Sequence, residues 1–281
     1  MDDSSPDTSP RRLPAGRRAD LAAFVAEAGQ VTVGMLAERF DVSIDTVRRD
    51  LDELDRLGAI IRTHGGAVSV QDQPRNDRDL DVRLRMQTAE KETIAALAAK
   101  LIPDGSVVMI NAGTTALALA RALHDHRELT IATNNLRIPT ILSPKCFRDL
   151  YVFGGPVRTV TQATTGPVSF KMATGGDEVE IRCDIALIAV GAVSDSGYST
   201  SNLADASMMN EMMQRASRTA ILADSSKIGR RLFAQVAPLA AADYLVTDAP
   251  LPAELDSAMQ AAGVQVIVPT AAEARAPRSS D

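Results

Sequence analysis

The sequence predicts an α/β chain in two parts: a winged helix-turn-helix over residues 17–70, then a larger domain over 80–269 built on a mainly parallel sheet. Two patterns carry this. Before residue 70, apolar residues recur at spacings of three and four within short, separately capped segments. Beyond residue 80, continuous apolar runs alternate with amphipathic stretches. Between the two parts, residues 71–79 hold Pro74 and no apolar period, and read as a linker. At 281 residues and 45% hydrophobic, the chain can fill one small core and one larger core. It has no Trp and 3% aromatics, so small aliphatic side chains must do the filling.

Residues 17–28 read as a first helix with Leu21, Phe24, Val25 and Ala28 inward and Gly29 as its stop. Thr32 can cap a second helix, 33–40, that packs through Met35, Leu36 and Phe40, and Asp41-Val42 turns into Ser43. Ser43 caps a third helix that runs to Leu57, with Gly58 as its left-handed stop. Its Ile44, Val47, Leu51 and Leu54 share one apolar stripe. At about 100° per residue, Arg49 falls opposite that stripe, with Asp45, Thr46 and Glu53 near it and Arg48 on the flank. Asp50, Asp52, Glu53 and Asp55 crowd the second half, where phosphates would repel them, so only the first turn and a half suits a DNA groove. Taken alone, this is equally an ordinary amphipathic surface helix; the helix-turn-helix around it favours DNA. Ile60-Ile61-Arg62, a Thr63–Gly66 turn and Ala67-Val68 then form a small hairpin, the wing. Arg62 and His64 stand near its tip, His64 either as a plain turn residue or as a DNA contact.

The net charge of −6 argues at first against nucleic acid. Residues 11–70 hold nine Arg and nine acids, so this part is neutral, and DNA affinity must rest on where the Arg side chains point. Arg11, Arg12, Arg17 and Arg18 precede or open the first helix, as phosphate contacts or as a solvated basic tail. The motif Ser43-x-x-Thr46-Val47-Arg48-Arg49-Asp50-Leu51, followed by Arg62-x-His64-Gly65-Gly66-Ala67, resembles the N-terminal domain of the DeoR family of bacterial transcriptional regulators. The likeness runs from about Arg17 to Val68 and implies a double-stranded operator DNA partner.

In the second part a helical pattern spans about Leu80 to Leu101, with Ile94, Leu97, Ala98 and Leu101 on its apolar face. Strands are expected near 106–110, 129–133, 150–153, 185–190, 219–223, 244–247 and 264–268. Helices are expected near 115–124, 136–142, 202–217 and 253–262. Such an alternation means a parallel sheet covered on both faces, with ligands outside the carboxyl ends of its strands. The loops there are Asn111-Ala112-Gly113-Thr114-Thr115, Thr133-Asn134-Asn135, Gly154-Gly155, Gly191 and Asp224-Ser225-Ser226-Lys227. Small residues, hydroxyls, a helix start and one cation suit a small phosphate ester, although tight βα turns alone would also use small residues. Lys227 can reach back toward Gly113-Thr114-Thr115, with Asp224 either orienting Lys227 or accepting from sugar hydroxyls; the alternative is an exposed loop lysine with Asp224 as a helix cap.

From about Arg83 to Asp248 the chain is similar to the DeoR family's C-terminal sensor domain, through Glu90-Lys91-x-x-Ile94-Ala95, Gly113-Thr114-Thr115, Thr133-Asn134-Asn135, Gly154-Gly155 and Asp224-x-x-Lys227. The resemblance implies a fold related to ribose-5-phosphate isomerase, a phosphorylated sugar effector, and Arg83 and Lys91 among the effector contacts. It also raises an enzyme alternative. The isomerases carry Asp-Gly-Ala-Asp where this chain has Val190-Gly191-Ala192-Val193, and valine carries no proton. Asp195 and Asp205 stand nearby in sequence as substitutes. The reading is therefore a non-enzymatic repressor released by a sugar phosphate, with a sugar-phosphate isomerase bearing a helix-turn-helix, or a sensor of a partner protein, as alternatives.

Cys146 and Cys183 lie far apart and read as buried small hydrophobes, and His124 and His126 as surface polar residues, so no metal or cofactor is expected. No apolar run reaches the roughly 18–20 residues of a membrane span, and Met1–Gly16 is polar, expected as a disordered arm without a signal peptide's apolar segment. A cytoplasmic location follows as an expectation. Residues 159–183 fit no pattern, and 270–281 read as a disordered polar tail. A short reading helix further predicts a homo-oligomer.

Overall fold

A computed structural model describes residues 14–28, 30–56, 59–63, 65–69, 80–171 and 178–270. The expected stops at Gly29 and Gly58, His64, the 71–79 linker, most of the N-terminal arm and residues 271–281 lie outside the described residues. The chain divides into two compact units, one ending at Arg78 and the other starting at Asp79.

The first unit comprises α1 (Pro14–Ala28), β1 (Gln30–Thr32), α2 (Val33–Phe40), α3 (Ile44–Arg56), β2 (Ile60–Thr63) and β3 (Gly66–Ser69). Its core is Leu21, Val25, Val31, Val33, Leu36, Val47, Leu51, Leu54, Ile60 and Ala67. Helix α1 begins at Pro14, three residues earlier than expected, so part of the presumed arm is helix; proline tolerates a first turn because its missing N–H would be unpaired there. Thr32 caps α2 by accepting from Met35 N at 3.2 Å, and Asp41, in the left-handed region at φ 49°, turns the chain toward α3. Ser43 Oγ accepts from Thr46 N at 3.2 Å, as a cap should.

The expected stripes need three corrections. Ile44 is 48% exposed and Met35 51% exposed, while Ala28 lies at the surface. Val47 rather than Ile44 closes the α3 side of the core, and Val33 takes the place given to Met35. Phe40 is half-buried, edge-on to Phe24 with centroids 6.3 Å apart. The wing is three-stranded, because β1 pairs antiparallel with β3 as well. The approach is close enough that a Cβ on Gly66 would lie 1.9 Å from the Val31 carbonyl oxygen, which only glycine permits.

The second unit opens with α4 (Leu80–Arg85) and α5 (Thr88–Ala99). There follow β4 (Val107–Ile110), α6 (Thr114–Ala122), β5 (Leu129–Thr133), α7 (Ile138–Ile141) and β6 (Phe147–Val152). Short strands β7 (Val157–Arg158), β8 (Ala163–Thr164), β9 (Ser169–Lys171) and β10 (Glu178–Glu180) lead to β11 (Cys183–Ala189). The chain continues with β12 (Ala192–Ser194), β13 (Gly197–Thr200), α8 (Leu203–Gln214), β14 (Ala216–Leu222) and β15 (Ala234–Ala237). It closes with β16 (Tyr244–Val246), α9 (Ala253–Ala261) and β17 (Gln265–Ile267).

Seven parallel strands form one sheet in the order β17-β16-β14-β11-β4-β5-β6. All seven expected strands are therefore in it. Side chains alternate between two cores: Val108, Ile110, Ile185 and Leu187 pack beside Ile94 and Leu117, whereas Met109, Ala186, Ile188 and Ile221 pack beside Met208, Met212 and Met259. Strand order reverses between β4 and β11, which makes the carboxyl ends of these two strands the place for a ligand.

The helix expected over Leu80–Leu101 is broken. Gln87 stands at φ 47° between α4 and α5, freeing backbone carbonyls that a continuous helix would have bonded. The helix expected over 136–142 is a single turn, and α8 stops at Gln214 so that β14 starts at Ala216. Both cysteines are buried and free. His124 is exposed, but His126 is half-buried, its Nε2 3.1 Å from the carbonyls of Ala99 and Ile102, which fixes it as a loop tie. Among the described residues no cluster of His, Cys, Asp and Glu could hold a metal, and no helix is long and apolar enough to cross a membrane.

Candidate functional site

In the first unit α3 sorts its charges by position. Its second-half acids are engaged: Asp50 with Arg17 Nε at 2.6 Å, Glu53 with Arg18 at 3.7 Å, and Asp52 with Arg62 Nε at 2.9 Å. Asp55 accepts from the Arg62 backbone N at 2.9 Å. Arg17 and Arg18 are thus ion-paired to α3 rather than forming a free basic tail, and the Arg17 pKa rises with that hydrogen bond. Arg62 also donates to the Gly66 carbonyl at 3.1 Å, which makes it the brace between wing and helix. The first turn keeps its polar groups outward. Thr46 shares a 2.8 Å hydroxyl contact with Ser43, Arg48 lies 3.4 Å from exposed Asp45, and Arg49 is exposed with no ion-pair partner among the described residues.

In the second unit the informative feature is a group of buried and half-buried charges. Arg83 on α4, Lys91 on α5 and Lys227 after β14 are electrostatic neighbours, joined by Asp224, Asp205 and Arg158. Lys91 is 5% exposed, and its Nζ donates to the carbonyls of Arg83 (2.5 Å) and Met86, the acceptors freed by the break at Gln87. Burial, reinforced by the charges of Lys227 and Arg83, lowers its pKa to about 8. Burial also lowers Lys227 and Arg83 below their ordinary values, against the pull of Asp224 on the former and Asp205 on the latter.

Asp224 is 1% exposed and does two things. Its Oδ1 accepts from Ser226 N at 3.2 Å and Ser226 Oγ at 2.5 Å, and its Oδ2 lies 3.5 Å from Lys227 Nζ. Asp224 thus caps the Ser225–Lys227 turn, as the cap alternative expects, and also stands within ion-pair reach of Lys227, which is no free loop lysine. Asp205, in the first turn of α8, meets Arg158 Nη1 at 2.5 Å; burial raises its pKa, and Arg158 and Arg83 oppose that rise. Sequence reasoning missed Arg158, which lies just before the stretch without a pattern, and considered Asp205 only as a proton carrier. Held by a guanidinium, Asp205 is no free base; Asp195 is exposed at a turn, and Val190 and Val193 belong to the apolar core.

The small-residue loops gather at strand ends as expected, yet most of their polar groups serve one another. Asn111 bridges to both the N–H and the carbonyl of Ala189, at 2.7 and 2.9 Å, across the reversal of strand order. Asn134 accepts from Ala112 N and donates to the Thr164 carbonyl, each at 2.8 Å, while Asn135 Oδ1 accepts from Arg137 N at 2.9 Å. Gly154, at φ 107°, lets Thr164 approach so near that a Cβ would lie 2.5 Å from its hydroxyl. Gly155 N donates to the Thr165 carbonyl and Gly191 N to that of Ser199. These residues brace the loops. At the start of α6, Gly113 gives no side-chain cap, Thr114 and Thr115 are buried, and the Thr115 hydroxyl has no partner among the described residues. A buried hydroxyl without a partner at a helix N-terminus is a donor available to an anion.

Residues 17–73 match the family model described as the DeoR-like helix-turn-helix domain, and residues 86–249 match the DeoR C terminal sensor domain. The chain is 34% identical over 257 residues to the HTH-type transcriptional repressor CsqR of Escherichia coli strain K12, covering 90% of this chain and 95% of that one. It is 31% identical over 240 residues to the glycerol-3-phosphate regulon repressor of the same strain, covering 84% and 91%. Among solved structures, ribose-5-phosphate isomerase A from Methanocaldococcus jannaschii overlaps 49% of this chain and 53% of its own, with a TM-score of 0.31 at 15% identity.

Proposed function

The chain belongs to the DeoR family of DNA-binding transcriptional regulators, and we propose that its second unit binds a phosphorylated sugar or polyol that releases the first from operator DNA. The observation that carries the effector class is the cation group, with Lys91 buried and the others half-buried. Arg83, Lys91, Arg158 and Lys227 face Asp205, Asp224 and, at the margin, Glu90, which leaves positive charge in excess. Gathering ammonium and guanidinium groups with only partial access to water is unfavourable unless an anion joins them, and a phosphate monoester supplies charge and several acceptors at once. The start of α6, with the Thr115 hydroxyl and a helix N-terminus that no side chain caps, adds a second set of donors. A relative named for a glycerol-3-phosphate regulon accords with an ester of this size.

On the DNA side, the first turn of α3 presents Ser43, Asp45, Thr46, Arg48 and Arg49, while Arg62 supports the wing. One such helix gives few base contacts, so the protein acts as a homo-oligomer on repeated half-sites. The decisive experiment measures release of a labelled operator fragment against a panel of phosphorylated sugars and polyols, each beside its unphosphorylated form. Release by one phosphorylated compound and not by its parent is the expected result; release by none, or equally by the parent, refutes the phosphate-ester reading.

A further inference from the structure

The cation group does more than face an anion: one of its members holds the helix that follows residue 79. Helix α4 has only six residues, too few to be stable alone. Its last carbonyls lose their helical donors at the Gln87 break: the Lys91 ammonium takes that of Arg83 together with that of Met86 just past the helix, and the Thr88 hydroxyl meets those of Leu84 and Arg85. An ammonium has three protons, so one remains beyond these two bonds, and Lys227, Asp224 and the Arg83 guanidinium are its electrostatic neighbours. We propose that Lys91 is a positioning residue that couples occupancy of the anion site to α4: a bound dianion takes the third proton and clamps α4 onto α5 through the same ammonium.

The coupling follows from electrostatics. In the empty site Lys91 is opposed by Lys227 and Arg83 and supported by Asp224 and Glu90, and burial disfavours its charge further. A dianion reverses that balance and strengthens the charge-assisted bonds to the carbonyls of Arg83 and Met86, at the negative end of the α4 dipole. Helix α4 is the first described element after residues 70–79, which join the DNA-binding unit to this one, so its docking is well placed to carry the signal. The sign for protons is fixed as well. The free-state pKa of Lys91 is about 8, and an anion raises it, so binding takes up protons above about pH 8 and weakens as pH rises.

This inference rests on the anion-site reading, and its test separates the two. The probe is inorganic phosphate above pH 8, where it is a dianion, with the full chain. Calorimetry in buffers of different ionisation enthalpy gives affinity and proton uptake, and hydrogen exchange reads peptides covering Leu80–Arg85. The expected result is uptake of a fraction of a proton and slower exchange of α4 on binding. Both responses fall at least threefold in Lys91→Met, and likewise in Lys91→Gln, which keeps N–H donors for the carbonyls without a charge and serves if the Met variant does not fold. Phosphate that binds wild type without protecting α4, or that protects α4 equally in both variants, overturns the coupling and leaves the site standing. Phosphate that does not bind overturns both.

Discussion

Replacing Lys227 by alanine isolates the contribution of one buried charge to effector recognition. The Lys227 side chain is 19% exposed, and its partner Asp224 carboxylate 2% exposed, 3.5 Å away. Without the ammonium the carboxylate keeps only the N–H and hydroxyl of Ser226, and it then repels an incoming phosphate. The site also passes from one cation in excess of Asp205, Asp224 and Glu90 to neutrality. A hydrogen bond to a charged group contributes about 1.5–3 kcal/mol, which corresponds to roughly ten- to hundredfold in affinity. The new repulsion puts the expected loss at the upper end of that range. The assay titrates the most potent compound of the panel against the operator complex of wild type and variant. Lys227→Ala should need roughly a hundredfold more effector for half-release, and adding Asp224→Asn should recover part of the loss, because the two residues interact directly. If both proteins release DNA at the same effector concentration, Lys227 is not in the site.

Arg49→Ala should weaken operator binding by about 1–3 kcal/mol if it meets a base edge, with discrimination lost at one position, whereas loss of a phosphate contact by Arg48→Ala would weaken all sequences alike and make the salt dependence shallower. Unchanged operator affinity in the double variant would remove α3 as the reading helix. Arg17→Ala leaves the Asp50 carboxylate buried without its 2.6 Å partner and should destabilise the first unit by about 1–3 kcal/mol, measured as faster hydrogen exchange in α3; unaltered exchange would make that ion pair idle. Light scattering at micromolar concentration should give a dimer or larger species, and a strict monomer with tight operator binding would refute the half-site argument.

The parts of this protein that were legible are those where a residue's position in a period decides its environment. Seven buried parallel strands read as continuous apolar runs, and each lies in the sheet, because a strand covered on both faces has no other composition available. The caps Thr32 and Ser43 were legible for the same local reason. Failures came where a distant residue decided the outcome. Ile44 belongs to the α3 stripe by spacing, yet the core closes on Val47 and Val33. The tie of Arg62 to Asp52, ten residues earlier, which braces the wing against α3, has no signal in the local sequence. The pairs β7–β8 and β12–β13 are too short for alternation to register, and Arg158 on the first of them becomes meaningful only when it meets Asp205, forty-seven residues away.

Lys91 shows the difference most sharply. By period it lies on a helix that should run unbroken from Leu80, three residues before Ile94 and seven before Ala98 beside the apolar face, where the spacing gives an ammonium no partner. The Gln87 break places two orphaned carbonyls under its ammonium and buries it among Arg83, Lys227 and Asp224. A resemblance to related sequences can mark such a residue as an effector contact. Only the arrangement of the broken helix gives it two neighbours to serve, and so a means of passing the state of one to the other.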